Sequence, residues 1–237
     1  SQVFIRNNTF NSTNQALCAY DESMITFGGT ATAEANTARA QLTLENSSFY
    51  IDNNTIESSV FITDVDFANP GTGTEDGGQI INNDFSNEAI LSVDQNSINS
   101  YLRVYNNSFT DYRISFTDFT AQSNGKLIFH TNDLDNDGYN TYAALVVNNC
   151  NGMTFAENTI YGPNPSTPAG TKTNLGIDWI ATEDVDIYKN TIWYFNRGIN
   201  LSGDNSSTQL ICNAFLNNYY QIYLENTTID DQGSSSA

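Results

Sequence analysis

The stretch "IRNNTF" (Ile5–Phe10) decides how the chain folds, because its last four letters keep returning. They recur as "NNTI" (Asn53–Ile56), "NNDF" (Asn82–Phe85), "NNSF" (Asn106–Phe109), "ENTI" (Glu157–Ile160), "KNTI" (Lys189–Ile192) and "CNAF" (Cys212–Phe215). Asparagine tolerates left-handed backbone geometry, which suits a bend. Its amide can hydrogen-bond to equivalent amides stacked above and below. The Phe or Ile that follows would then point inward. The motif reads as a corner plus a core plug, needed once per turn of a coiled chain.

The motif endings set the rhythm: Phe10, Phe49, Ile56, Phe85, Ile98, Phe109, Leu134, Ile160, Ile192 and Phe215. Several gaps run between 23 residues (Ile192 to Phe215) and 32 residues (Ile160 to Ile192), a period typical of repeat architectures. The shorter gaps place motifs on different corners of one coil. Between motifs the apolar residues alternate with period two, as in "LTLE" (Leu42–Glu45), "LRVY" (Leu102–Tyr105), "VDIY" (Val185–Tyr188) and "QIYL" (Gln221–Leu224). That is strand patterning. No segment longer than ten residues carries a helical period, and the Asn-Gly turns of hairpins are nearly absent. Short strands in parallel sheets, stacked at about 4.8 Å per coil, account for all of this.

These corners, with the strand–bend–strand phrases "RGINLSG" (Arg197–Gly203) and "YQIYLEN" (Tyr220–Asn226), resemble the right-handed parallel β-helix proteins with pectate-lyase-like coils. The resemblance implies an all-β, right-handed parallel β-helix. It covers most of the chain and is weakest over Phe27–Ala40 and Ala68–Gly78. It is silent on activity, since fold does not imply function. A single domain over residues 1–230 and a flexible tail over 231–237 follow. Three stretches leave the rhythm and read as loops: "FGGTATAEANTARA" (Phe27–Ala40), "ANPGTGTEDGG" (Ala68–Gly78) and "YGPNPSTPAGTKTN" (Tyr161–Asn174). In repeat folds such insertions often gather on one face and carry binding.

The formal charge is −19, from 27 acidic and 8 basic residues, and only 15% of residues are charged. Nucleic acid and anionic membranes are excluded as partners, because phosphate binding needs clustered Lys and Arg. No apolar run reaches membrane-spanning length and no leader is recognised, so no membrane insertion is expected. The acidity suits an extracellular or cell-surface setting, or simply keeps the protein soluble. The three cysteines form no disulfide framework. Cys150 and Cys212 read as buried thiols in core stacks.

The sharpest local signal is "DLDNDGYN" (Asp133–Asn140). Asp133, Asp135 and Asp137 alternate before Gly138, as in the first half of a calcium loop. The twelfth position is Ala144, so the bidentate glutamate is missing and calcium would bind weakly. A solvated acidic turn is the alternative. A second acidic cluster holds Asp178, Glu183, Asp184 and Asp186, and paired carboxylates can run glycoside hydrolysis. The Asn-Thr-Asp, Asp-Asp, Gly-His-Gly and Arg-Ile-Lys phrases of β-helix polygalacturonan hydrolases are missing. The only histidine, His130, reads as a strand-end residue. β-Helix lyases group Arg or Lys in a groove, whereas the basic residues here look scattered; only Arg103 and Arg113 could share a face. Catalysis is not expected.

Trp193, Tyr194, Tyr219 and Tyr220 fall near corners and could stack on sugars or line an assembly interface. Eight Asn-x-Ser/Thr sequons stand at Asn7, Asn11, Asn46, Asn53, Asn106, Asn200, Asn205 and Asn226. With 34 asparagines and 47 Ser plus Thr, about that many arise by chance, so a glycoprotein is only weakly indicated. The first and last repeats look like interior ones, without a capping helix over the open edges, so either the chain is part of a longer solenoid or copies continue one another by end-to-end or lateral packing. The leading expectation is a non-catalytic surface fibre, sheath, surface layer or adhesin that associates with itself. The rival is a carbohydrate-active module: a polysaccharide lyase, glycoside hydrolase or sugar-binding domain.

Overall fold

The computed structural model describes residues 2–6, 8–10, 15–19, 24–28, 36–38, 41–45, 48–63, 78–87, 89–94, 101–119, 126–136, 143–163 and 174–229. Strands are the only regular elements among them. The first three coils are β1 (Gln2–Ile5), β2 (Thr9–Phe10), β3 (Gln15–Ala19); β4 (Met24–Gly28), β5 (Thr37–Ala38), β6 (Gln41–Glu45); and β7 (Ser48–Asp52), β8 (Thr55–Ile56), β9 (Val60–Thr63). The next three are β10 (Gly78–Ile81), β11 (Asp84–Phe85), β12 (Ile90–Asp94); β13 (Tyr101–Tyr105), β14 (Ser108–Thr110), β15 (Arg113–Thr117); and β16 (Lys126–His130), β17 (Asp133–Asp135), β18 (Leu145–Asn148). The last three are β19 (Met153–Ala156), β20 (Thr159–Tyr161), β21 (Leu175–Ile180); β22 (Asp186–Tyr188), β23 (Thr191–Trp193), β24 (Arg197–Ser202); and β25 (Gln209–Ile211), β26 (Ala214–Leu216), β27 (Tyr220–Glu225).

Each strand pairs in parallel with the strand three places on, so the 27 strands form three sheets of nine. The first sheet starts at β1, the second at β2 and the third at β3. This is the parallel β-helix expected. In the second sheet one register column runs Phe10, Ala38, Ile56, Phe85, Phe109, Leu134, Ile160, Ile192, Phe215, and from Ile56 to Ile192 its side chains are buried in the core. Eight of the ten motif endings named from sequence belong to it. Phe49 instead lies in the first sheet on β7, and Ile98 is outside the described residues. Ala38 was missed. It sits in a stretch read as loop, yet Asn36–Ala38 is a regular corner and strand there. Phe85 and Phe109 stack at 4.6 Å and Phe129 and Phe155 at 5.2 Å between ring centroids. Burying each such ring is worth about 1.5–3 kcal/mol.

The corner between the first and second sheets explains the double asparagine. The two residues of "NN" divide the work. The first takes the left-handed conformation: φ is 58° at Asn53, 56° at Asn82 and 54° at Asn106, and Thr131, Glu157, Lys189 and Cys212 follow with φ between 54° and 56°. The second turns inward and builds a ladder through Asn8, Asn36, Asn54, Asn83, Asn107, Asn132, Asn158, Asn190 and Asn213. At each rung the backbone N–H donates to the Oδ1 of the next coil's asparagine. From Asn36 on, each Nδ2 donates to a carbonyl of the preceding coil, for example Asn132 to Val104 at 3.0 Å. Buried strand-end groups that would otherwise be orphaned are thus satisfied once per coil.

Candidate functional site

The ladder's outer side is the most organised surface. Left-handed corner residues project outward as one row: Asn53, Asn82, Asn106, Thr131, Glu157 and Lys189. Beside it runs the outward column of the second sheet, Thr55, Asp84, Ser108, Asp133, Thr159 and Thr191. Coils three to five enclose an open trough of about 480 Å³ between these rows, lined by Asn53, Thr55, Asn82, Asp84, Asn106 and Ser108 and floored by Asn54 and Asn83. Asn106 Nδ2 donates to Asn82 Oδ1 at 2.8 Å, and Asn82 Nδ2 to Asp52 Oδ1 at 2.9 Å.

Further along the same edge the first sheet presents a ledge. The Arg103 guanidinium lies 4.7 Å over the Tyr105 ring, and Tyr105 stacks on His130 at 5.7 Å. His130 Nε2 is 3.5 Å from Glu157 Oε2, and Lys189 Nζ is 3.1 Å from Glu157 Oε1. The Thr131 hydroxyl holds His130 Nδ1. His130 is the last residue of β16. Two expectations change. Arg103 and Arg113 do not share a face, since β13 is in the first sheet and β15 in the third. The basic residues are not all scattered either: Arg103 and Lys189 join the only histidine around Tyr105 and Glu157. His130 lies 27 residues from Arg103 and from Glu157 and 59 from Lys189, which hid this, and only the coil register reveals it.

Asp133 and Asp135 project from the outer side of β17, where both are exposed. Partial burial, and then repulsion from Asp135, push the Asp133 carboxyl above its usual range. Asp137 lies outside the described residues. Among the described residues no three His, Cys, Asp or Glu side chains converge on a metal position. The second acidic cluster is spread out. Asp178 lies on β21 of the third sheet, bonded by Asn200 Nδ2 at 2.8 Å, and Asp186 lies on β22 of the first.

Trp193 and Tyr194 stand at the second corner of coil eight with Tyr161, ring centroids 5.1–6.0 Å apart. Tyr219 and Tyr220 occupy the same corner of coil nine, 4.6 Å apart and exposed. Tyr223 carries the Arg197 guanidinium at 3.6 Å, and Arg197 also bonds Glu225 and Asn200. Among the sequons, Asn53, Asn106 and Asn226 reach the surface. Asn200 and Asn205 are buried with their amides donating internally, so the folded chain has no room for a glycan on either. Asn7, Asn11 and Asn46 lie outside the described residues.

Cys150 is buried in the third corner, where burial pushes its thiol up to about 12. Cys212 is exposed rather than buried. It holds the left-handed, outward place of the motif and not a core position.

The last described coil breaks the burial pattern. Ile199 and Leu201 are fully buried, but their column successors Ile222 and Leu224 are 39% and 48% exposed. Ile211 and Leu216 are exposed too. No helix among the described residues is long and apolar enough to cross a membrane.

The chain is a parallel β-helix repeat protein. No family model and no curated protein matches it. Among solved structures, the A-module of the mannuronan C-5 epimerase AlgE4 of Azotobacter vinelandii is similar at 12% identity and a TM-score of 0.40, covering 90% of this chain. The chain spans 64% of that module. Nothing about activity follows from this likeness.

Proposed function

We propose that the protein is a non-catalytic structural or adhesive element of an extracellular or cell-surface layer, which associates with copies of itself. The observation that carries this reading is the apolar surface of the last described coil. Ile222 and Leu224 stand exposed there together with Ile211, Leu216, Tyr219 and Tyr220. Contiguous exposed apolar surface of this kind marks sites of association. Calcium belongs to the reading as a weak ligand of Asp133, Asp135 and Asp137. Negative-stain microscopy with and without millimolar calcium tests it. Regular filaments, tubes or sheets are expected; monodisperse short rods in both conditions would overturn it.

A second reading, a carbohydrate-active or sugar-binding module, is favoured by the ledge. Tyr105, His130, Arg103 and Lys189 combine an aromatic face with cations beside Glu157, and the amide and hydroxyl rows of the trough continue it along the axis. Stacking plus directed hydrogen bonds is how proteins hold polyhydroxylated chains. Binding and cleavage assays on neutral and acidic polysaccharides, repeated with Tyr105→Ala, test this reading. Retention that Tyr105→Ala abolishes would support it; no retention of any polymer would sink it.

A further inference from the structure

We infer that the trough and the ledge are one groove, and that it takes a saccharide chain in which an acidic residue stands between neutral ones, with the acidic residue on the ledge. This rests on the sugar-binding reading and adds which kind of sugar lies where. The two parts adjoin. Asn106, the last amide of the trough, follows Tyr105 directly, and its N–H donates to His130 O at 3.3 Å. Coils repeat about every 4.8 Å, close to the length of one pyranose residue in an extended chain. Each coil therefore faces about one residue of a chain laid along the axis.

The two parts differ in charge. On the ledge, Glu157 is shared by Lys189 and His130. Arg103 has no carboxylate partner among the described residues; its guanidinium lies over the Tyr105 ring. A guanidinium stacked in this way keeps its in-plane N–H fork for a carboxylate, which it can hold with two parallel bonds. The trough carries the opposite sign. Among the described residues that line it, Asp84 alone is charged, and it is exposed on β11. At the trough's far end Asp52 accepts from Asn82 Nδ2 and, at 3.2 Å, from the Tyr50 hydroxyl. A sugar carboxylate over coils three and four would face these two acids, whereas a sugar hydroxyl can donate to Asp84 and bond the amides. A chain acidic at every residue is thus repelled from the trough, and the charge of −19 adds to the repulsion. A wholly neutral chain leaves Arg103 without its bond. A chain with spaced acidic residues meets both halves.

The test is affinity electrophoresis of the full chain in gels cast with one of three polymers. Deacylated gellan separates single glucuronate residues by neutral sugars, polygalacturonate is acidic at every residue, and hydroxyethyl cellulose is neutral. Wild type should bind gellan about tenfold more tightly than either of the others, the worth of one charge-assisted bond. Arg103→Gln should lower gellan binding about tenfold for the same reason. Asp84→Asn should raise polygalacturonate binding, while Asp94→Asn, the same charge change on the outer side of the third sheet, should not. Circular dichroism checks that each variant keeps its strands, with Arg103→Met as replacement should Arg103→Gln fail to fold. If polygalacturonate binds as tightly as gellan, or if gellan binding survives Arg103→Gln, the division of the groove is wrong and the sugar-binding reading still stands. Retention by the neutral polymer alone has the same meaning. No retention by any polymer overturns both.

Discussion

The first and third corners solve the same problem under different constraints. Both need a left-handed residue where the strand ends: Asn106, Thr131 and Glu157 at the first, Asp118, Asn149 and Ala181 at the third. Both then place a buried residue in the inward slot. At the first corner that residue is asparagine, buried from Asn36 to Asn190. At the third it is Phe119, Cys150 and Thr182 in successive coils, with Asn205 beyond. The first corner turns in two residues from coil three onward, so the slot residue must itself satisfy the strand ends above and below. The third corner has longer connections whose own backbone groups share that task, so it accepts whatever packs.

Removing a mid-ladder amide should therefore be the most damaging change. Asn132 Oδ1 accepts from the Asn107 backbone and Nδ2, while its Nδ2 reaches Val104 O and Asn158 Oδ1. Asn132→Ala takes the acceptor from the buried Asn107 backbone N–H and the side-chain donor from Val104 O, each costing about 1–3 kcal/mol. Urea denaturation should show a loss of several kcal/mol or no folded protein. Asn213→Ala removes the matching bonds at a half-buried rung, where water can replace the lost partners, and should cost less, about 1 kcal/mol. Equal losses would mean the ladder is not the reason for the asparagines.

At the third corner the expected cost is smaller. Cys150→Ala removes one buried sulfur from a slot that Thr182 fills in the next coil, and should cost about 1 kcal/mol by the same assay. Alkylation with iodoacetamide at pH 8, mapped by peptide mass, gives an independent readout. The Cys150 thiol, buried and raised to about 12, should be spared until the chain unfolds, whereas exposed Cys212 should react. Rapid labelling of Cys150 in the folded chain would show the third corner to be open.

Most of the fold was legible because its corner is chemical: a left-handed residue, an amide and a plug in consecutive places. What sequence could not resolve was which asparagine did which job, since both residue preferences coincide in "NN". That confusion put Cys212 inside. The ledge was illegible for a different reason. Tyr105, His130, Glu157 and Lys189 meet because their coils stack, but insertions give each coil its own length, so no fixed spacing signals the cluster. Ala38 was hidden by the polar residues around it.

The shared left-handed requirement can be tested at Ala181, whose φ is 48° and which loses no hydrogen-bonding side chain when shortened. The left-handed region costs a non-glycine residue about 1–2 kcal/mol, partly offset by glycine's greater freedom when unfolded. Ala181→Gly should raise stability by about 0.5–1 kcal/mol, seen as a higher Tm. A lower Tm would mean that Ala181 packs more than it strains.

The smallest effect belongs to Asp133 on the outer side of β17, its carboxyl raised by partial burial and by Asp135. An unfolded aspartate titrates near 3.9. A folded value above that means the folded state holds the proton more tightly. Its contribution to stability is then complete below the ordinary value and lost as the pH rises through the raised one. Asp133→Asn should therefore leave stability unchanged in acid and raise it slightly at neutral pH, flattening the Tm profile between. Millimolar calcium offers the contrast. If Asp133 and Asp135 share a calcium ion, it should raise the wild-type Tm at neutral pH and leave Asp133→Asn unmoved. Equal calcium shifts in both proteins would place any bound ion elsewhere.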